Sequence, residues 1–343
     1  MSGRCGASTL QILRQDYLSR RCGTTKDFMT ESALVIGLGE VLWDMMPSGK
    51  VLGGAPANFA YMSNVLGERG VVASRVGNDA LGCEARQAMK ELGLDTSHVQ
   101  TDDTYQTGSA NVVVDGDGQP NFTIQESVAW DFMEWTEQWQ KLSAQANVIC
   151  YGSLAQRSPV SAATIERFLN NARDDALRVF DVNLRQSFFT RDVLRKSLGY
   201  ADIAKINQEE LLQISSLFDL GDGAEAAIAR RLLDEFDLKI VCLTRGDHGS
   251  LLVSKDETIE HSGFHVKVVD AVGAGDAFTA CLVHHFLHGD PLERISKISN
   301  RFAAWVVTQR GATPRLATGA LEEILRAGPD SDLTRQAAAR FSP

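Results

Sequence analysis

The chain has 343 residues, 44% hydrophobic and 23% charged, with a formal net charge of −10. It is long enough for one large α/β domain or two smaller ones, and its acidic balance argues against a nucleic-acid surface and against general attraction to acidic membranes. The six cysteines form no C-x-x-C pair and no apolar run approaches the roughly 20 residues that span a bilayer, so a soluble cytoplasmic protein without disulfide framework or zinc motif is expected.

Residues 1–28 carry Arg4, Arg14, Arg20, Arg21 and Lys26 against Asp16 and Asp27, with no apolar core of signal-peptide length. With Met29 just ahead of the first strand, 1–32 read as a disordered extension. Apolar runs suited to buried parallel strands follow at 33–38, 71–76, 147–152, 178–182, 202–206 and 239–243. Helical spacing fills the intervals at about 56–66, 81–92, 161–172, 192–198, 208–215, 224–235, 277–288 and 292–308. This alternation predicts an α/β fold over 33–328, a doubly wound, mostly parallel sheet flanked by helices, with 329–343 as a tail.

Two segments break the rhythm, at about 41–53 and 104–128. In the second, apolar runs at 110–114 and 121–125 flank Asp115-Gly116-Asp117-Gly118, which is hairpin chemistry. Together they predict a small β lid near the carboxyl ends of early strands, where doubly wound folds bind ligands. Phe122 and Gln125 are its candidate ligand-facing residues.

The segment Gly53-Gly54-Ala55-Pro56-Ala57-Asn58 opens a helix directly after the first lid piece. Its glycines allow close backbone approach, and Asn58 offers donors and acceptors suited to sugar hydroxyls; a turn with a polar helix face is the bland alternative. Further on, Val266, Val268 and Val269 read as a strand before Asp270-Ala271-Val272-Gly273-Ala274-Gly275-Asp276. The first N–H groups of the helix after it have no internal partner and stand at its positive end, so Gly273, Ala274 and Gly275 suit a phosphate. Asp276 sits where a hydroxyl can lose its proton. On the same helix, Cys281, His285 and His288 fall roughly on one side with His284 beside them, but interleaved core residues favour packing over a metal. Trp130, Trp135 and Trp139 likewise read as packing.

The double-glycine asparagine start and the Gly-Ala-Gly-Asp turn, in order with Asn207-Gln208-Glu209-Glu210 and Thr244-Arg245-Gly246-Asp247-His248-Gly249, resemble the ribokinase-like (PfkB) carbohydrate kinase family. The likeness covers about 33–316 and is nearest to fructokinases, through 152–157, 181–185 and 128–131. The resemblance implies ATP-dependent transfer of a phosphoryl group to a primary hydroxyl of a free sugar, most of all fructose. Asp276 is then the base, and Gly273, Ala274 and Gly275 form the anion hole. Asp44, Gly53, Gly54 and Asn58 bind sugar, with Arg185 at the phosphoryl or sugar end unless it is an ordinary ion pair. Asn207, Thr244, Gly246, Gly249, Asn300 and Ala303 fall to ATP, and Glu210 to Mg²⁺ through water. Asp270, Val272 and Gly311 match positions that hold K⁺ in relatives.

Many relatives carry threonines at Ala271 and Val272, positions that act through backbone. Other acceptors implied are 2-keto-3-deoxygluconate, ribose or a nucleoside; a non-catalytic sugar sensor is the alternative of a different class. A homodimer through the lid is the expected assembly, with no nucleic-acid or membrane partner.

Overall fold

The computed structural model describes residues 32–46, 49–114, 120–316 and 319–326. Residues 1–31, the Asp115–Gly118 turn, the Phe122 side chain and the 329–343 tail lie outside the described residues.

The mostly apolar strands take the interior of a nine-stranded sheet, because a strand covered on both faces does not alternate regularly with polar residues. These are β1 (Leu34–Leu38), β4 (Arg69–Gly77), β8 (Val148–Gly152), β9 (Leu177–Asp181), β10 (Ile203–Asn207) and β11 (Ile240–Thr244). With β5 (Val99–Asp102), β12 (Ser250–Ser254) and β13 (Thr258–His261) the order is β13-β12-β11-β10-β9-β8-β1-β4-β5. Pairing is parallel from β5 to β11 and antiparallel from β11 to β13. The three strands absent from the sequence reading are short and peripheral.

Successive side chains point to opposite faces, so Leu34, Ile36 and Leu38 enter one core and Val35 the other. The first core is covered by α3 (Glu137–Gln145), α4 (Pro159–Asn171), α5 (Arg191–Tyr200), α6 (Gln208–Phe218) and α7 (Glu225–Phe236). The second takes α1 (Ala55–Val65), α2 (Ala80–Glu91), α8 (Ala274–Leu287), α9 (Leu292–Val307) and the short α10 (Ala320–Arg326). Trp130 and Trp139 are fully buried in the first core, as packing requires. From Ala33 onward the described residues form one compact unit, and no described helix is long and apolar enough to cross a membrane.

The lid is a separate four-stranded sheet, β3-β2-β6-β7, built from β2 (Leu42–Met46), β3 (Gly49–Gly53), β6 (Gly108–Val114) and β7 (Pro120–Ile124). It stands over the carboxyl end of β1, the strand from which the chain winds outward to β4 and later back to β8. That reversal is the ligand crevice of doubly wound folds.

One expected element is different. Val266–Val269 is not a strand: Val268 and Val269 are exposed, and the N–H groups of Val269 and Asp270 donate to the Val307 carbonyl at the end of α9, at 2.8 and 3.2 Å. The sheet has already ended at β13, so this extended apolar segment has no strand to join.

Candidate active site

The sharp turn into α8 depends on Gly273, whose φ is 80°; a Cβ there would stand 2.6 Å from Ala312 Cα. Helix α8 therefore begins at Ala274, three residues earlier than expected, and Asp276 lies in its first turn. Asn58, on the first turn of α1, donates from Nδ2 to Asp276 Oδ2 at 2.8 Å. Burial first, and the nearby Asp181 carboxylate second, push Asp276 up to about 6, against the Asn58 hydrogen bond and Lys205.

Two residues beside Asp276 escaped the sequence reading. Lys205, inside β10, pairs with Asp181 at the end of β9 (3.0 Å), and Thr279 Oγ1 lies 3.0 Å from the other Asp181 oxygen. Burial opposes the Lys205 charge, yet Asp181, Glu210 and Asp276 together hold its pKa above the usual lysine range. Its ammonium faces α8: a Cβ on Gly275 would stand 2.9 Å from Lys205 Nζ. A lysine within a run buried on both faces was the available signal, since such a charge is rarely enclosed without a partner.

The second missed residue is Glu40, 3% exposed, whose Oε2 has no hydrogen-bond partner. Burial, with Asp276 adding to it, pushes Glu40 up to about 7. The native state thus holds the Glu40 proton more tightly than the unfolded chain, and stability is lost as pH rises from about 4.5 through 7. Glu40→Gln, which cannot ionise, is expected to raise the melting temperature at pH 8 and leave it unchanged near pH 4. The ceiling is about 3 kcal/mol, from 2.5 pKa units at 1.36 each. Equal shifts at both pH values would contradict this assignment.

These groups line a cavity of about 610 Å³ roofed by Leu42, Ala110 and Ile124 of the lid. Asp44, Gly54, Asn58, Arg185, Asn207, Glu210, Gly273 and Gly275 also reach it. Gly53 stands behind Asp44; a Cβ there would lie 2.5 Å from Asp44 Oδ2. Burial raises the Asp44 pKa against the pull of Arg185. Arg185 is exposed and has no ion pair among the described residues, so its structural alternative lacks support. Gln125 turns away to Ser109 (3.1 Å).

Glu210 is 4% exposed, and its carboxylate caps α6: Oε2 accepts from Asn207 N (2.8 Å) and Oε1 from Leu184 N (2.9 Å). Asn207 Oδ1 answers by accepting from Glu210 N at 2.9 Å. Each Glu210 oxygen keeps a further lone pair, which suits water around Mg²⁺ better than direct coordination. Asp270 accepts from Val272 N and Gly311 N, both at 3.0 Å, so the three candidate K⁺ positions do meet.

A second cavity, about 430 Å³, lies across the start of α8 and shares Thr244, Ala271 and Gly275 with the first. Gly246, Gly249, Ala274, Asn300 and Ala303 line it. Asn300 donates to Ser250 Oγ (2.7 Å) and Ser296 O (2.8 Å), tying α9 to β12. Phe264, Val266 and Val268 complete an apolar wall suited to a flat base, which is where the misread strand segment belongs.

Transfer of a phosphoryl group to a hydroxyl needs a place for the alcohol, a base for its proton and a cradle for the moving charge, and the candidate residues for all three come together at this helix start. Around it stands the fold of small-molecule kinases. The sequence profile described as pfkB family carbohydrate kinase matches residues 40–318, and the chain belongs to that family. It is an ATP-dependent sugar kinase.

An uncharacterized sugar kinase of Pyrococcus horikoshii is 29% identical over 273 residues, 77% of this chain and 83% of its own. Its crystal structure matches at TM-score 0.72, covering 85% of this chain and 100% of that one. Fructokinase of Escherichia coli is 29% identical over 303 residues, 83% of this chain and 96% of its own. Fructokinase of Vibrio cholerae, solved with fructose, ADP and calcium, shares the fold at TM-score 0.72 and 23% identity, covering 86% of this chain and 99% of that one.

Proposed function

We propose that the protein transfers the γ-phosphoryl group of ATP to a primary hydroxyl of a free sugar, with D-fructose the leading acceptor. The observation carrying this reading is the Asp276 carboxylate, held by Asn58 where the two cavities meet. The hydroxyl oxygen attacks the γ-phosphorus, the bond to the ADP oxygen breaks, and the proton passes to Asp276. Asp44, Gly54 and Asn58 orient the sugar, with Gly53 shaping the wall behind Asp44. The backbone at Gly273, Ala274 and Gly275 receives the moving phosphoryl oxygens. Thr244, Gly246, Gly249, Asn300 and Ala303 border the nucleotide, and Asn207 stands near its phosphates. Glu210 would hold water around Mg²⁺, which when bound neutralises phosphate charge; Asp270, Val272 and Gly311 would hold K⁺.

The carboxyl groups of Glu40, Asp44, Glu210 and Asp276 outnumber the cations of Arg185 and Lys205 in the acceptor cavity, which favours a neutral sugar over a sugar phosphate. The unpaired Arg185 favours a second reading, 2-keto-3-deoxygluconate, whose carboxylate it would take. An ATP-consumption screen over fructose, ribose, 2-keto-3-deoxygluconate, adenosine and fructose phosphates decides. Fructose is expected to give the highest kcat/KM. A better rate with the keto acid that collapses in Arg185→Ala selects the second reading, and a preference for phosphorylated sugars defeats both.

The exposed Met45, Met46 and Val51 on β2 and β3 support assembly through the lid with a second copy. ATP as the phosphoryl donor suits a cytoplasmic location, where ATP is abundant.

A further inference from the structure

Helix α8 ends in a different chemistry from the one at its start. Its last turn carries His284 and its C-cap is His288, four residues on and on the same side, with ring centroids 4.4 Å apart. Both turn toward Glu68, the residue just before β4. Glu68 Oε1 lies 2.7 Å from His284 Nδ1 and 3.0 Å from His288 Nε2. We propose that Glu68, His284 and His288 form a site for one first-row transition dication, Zn²⁺ foremost.

Three observations support it. One donor atom from each residue lies within 4.8 Å of the other two, close enough for a single ion to replace the shared hydrogen bonds. The Glu68 side chain is 5% exposed, and its other oxygen accepts from Ala33 N at 2.7 Å, so the carboxylate is fixed in advance as outer partners fix metal ligands. His288 is 45% exposed, which leaves an open side for water to complete a tetrahedral shell. Two imidazoles and one carboxylate suit Zn²⁺, Cu²⁺ or Ni²⁺, whereas Mg²⁺ and Ca²⁺ favour oxygen. The negative end of the helix dipole adds further attraction for a cation.

The cluster differs from the grouping drawn from sequence. Cys281 is buried toward the core, and His285 pairs with Asp290 at 2.6 Å, so neither joins. At 1.5 Å per residue, His288 is about 18 Å along the helix from Asp276. The site is therefore separate from any metal bound with ATP. Its ion would clasp the end of α8 to the starts of β1 and β4.

The test uses tag-free full-length protein stripped with chelator, titrated with Zn²⁺ by calorimetry and with Co²⁺ by visible absorption. One Zn²⁺ per chain is expected, with a raised melting temperature, a tetrahedral Co²⁺ spectrum and no competition from excess Mg²⁺. His284→Ala and His288→Gln should each weaken binding by at least the 10–100-fold that loss of even an outer partner costs, while His285→Ala binds as the native chain does. His288 is half-exposed, so His288→Gln is expected to melt normally without metal and decides the matter if His284→Ala fails to fold. The proposal is overturned if the native chain binds no more Zn²⁺ than His288→Gln, if His285→Ala loses binding equally, or if Mg²⁺ displaces the ion.

Discussion

Asp276→Asn is expected to lower kcat by about 10²–10⁴-fold, the usual contribution of a positioned base, with little change in KM for sugar or ATP. The amide keeps the size of the carboxylate and can still meet Asn58, but it cannot accept the hydroxyl proton. The same change should stabilise the fold. Asp276 is raised from 3.8 to about 6, so the folded state favours its protonated form. Stability is therefore lost as pH climbs between those values, and the unionisable variant escapes that loss at neutral pH. Two units at 1.36 kcal/mol set a ceiling of about 3 kcal/mol, reduced because the group is partly exposed. Melts at pH 4 and pH 8 should show the gain only at the higher value. In the native enzyme, kcat/KM should rise through about pH 6 as the base ionises. An Asn variant with full turnover would falsify the assignment of Asp276 as base.

Lys205→Met should be the most damaging change to the fold. It strips the partner from Asp181 at 3.0 Å and leaves a buried carboxylate uncompensated, a loss of about 3–5 kcal/mol. Adding Asp181→Asn should restore much of that stability, since the stranded charge goes with it. Turnover should not return, because the ammonium also faces Gly275 and the proposed anion cradle. Chemical denaturation and steady-state kinetics on the two single variants and the double variant separate these effects. If the double variant recovered both stability and rate, Lys205 would be an ion-pair residue only; if Lys205→Met lost neither, the buried-pair argument would fail.

The interior strands were legible because burial on both faces leaves a mostly apolar run, and the lid because it interrupts that rhythm with hairpin chemistry. Edge strands β5 and β13 were not, since four residues at a sheet margin carry too few apolar positions to stand out. Val266–Val269 misled for the opposite reason: its side chains suit a strand, but its surroundings offer a cavity wall. Asp276, Asn58 and Glu210 were readable because each sits at a helix start, where side-chain chemistry is local. Glu40 and Lys205 depend on neighbours remote in sequence, and so does Glu68 beneath His284, 216 residues away. Pairings of that kind are properties of the folded chain.

The hydrogen bond from Asn58 to Asp276 spans 218 residues. A ribosome must deliver the chain through the start of α8 before the proposed base and sugar-side anchor can meet, so a chain ended earlier should have no means of spending ATP on a sugar. Turnover by this protein is thus also a readout of synthesis through the start of α8, and a truncation anywhere before α8 should be silent rather than wasteful.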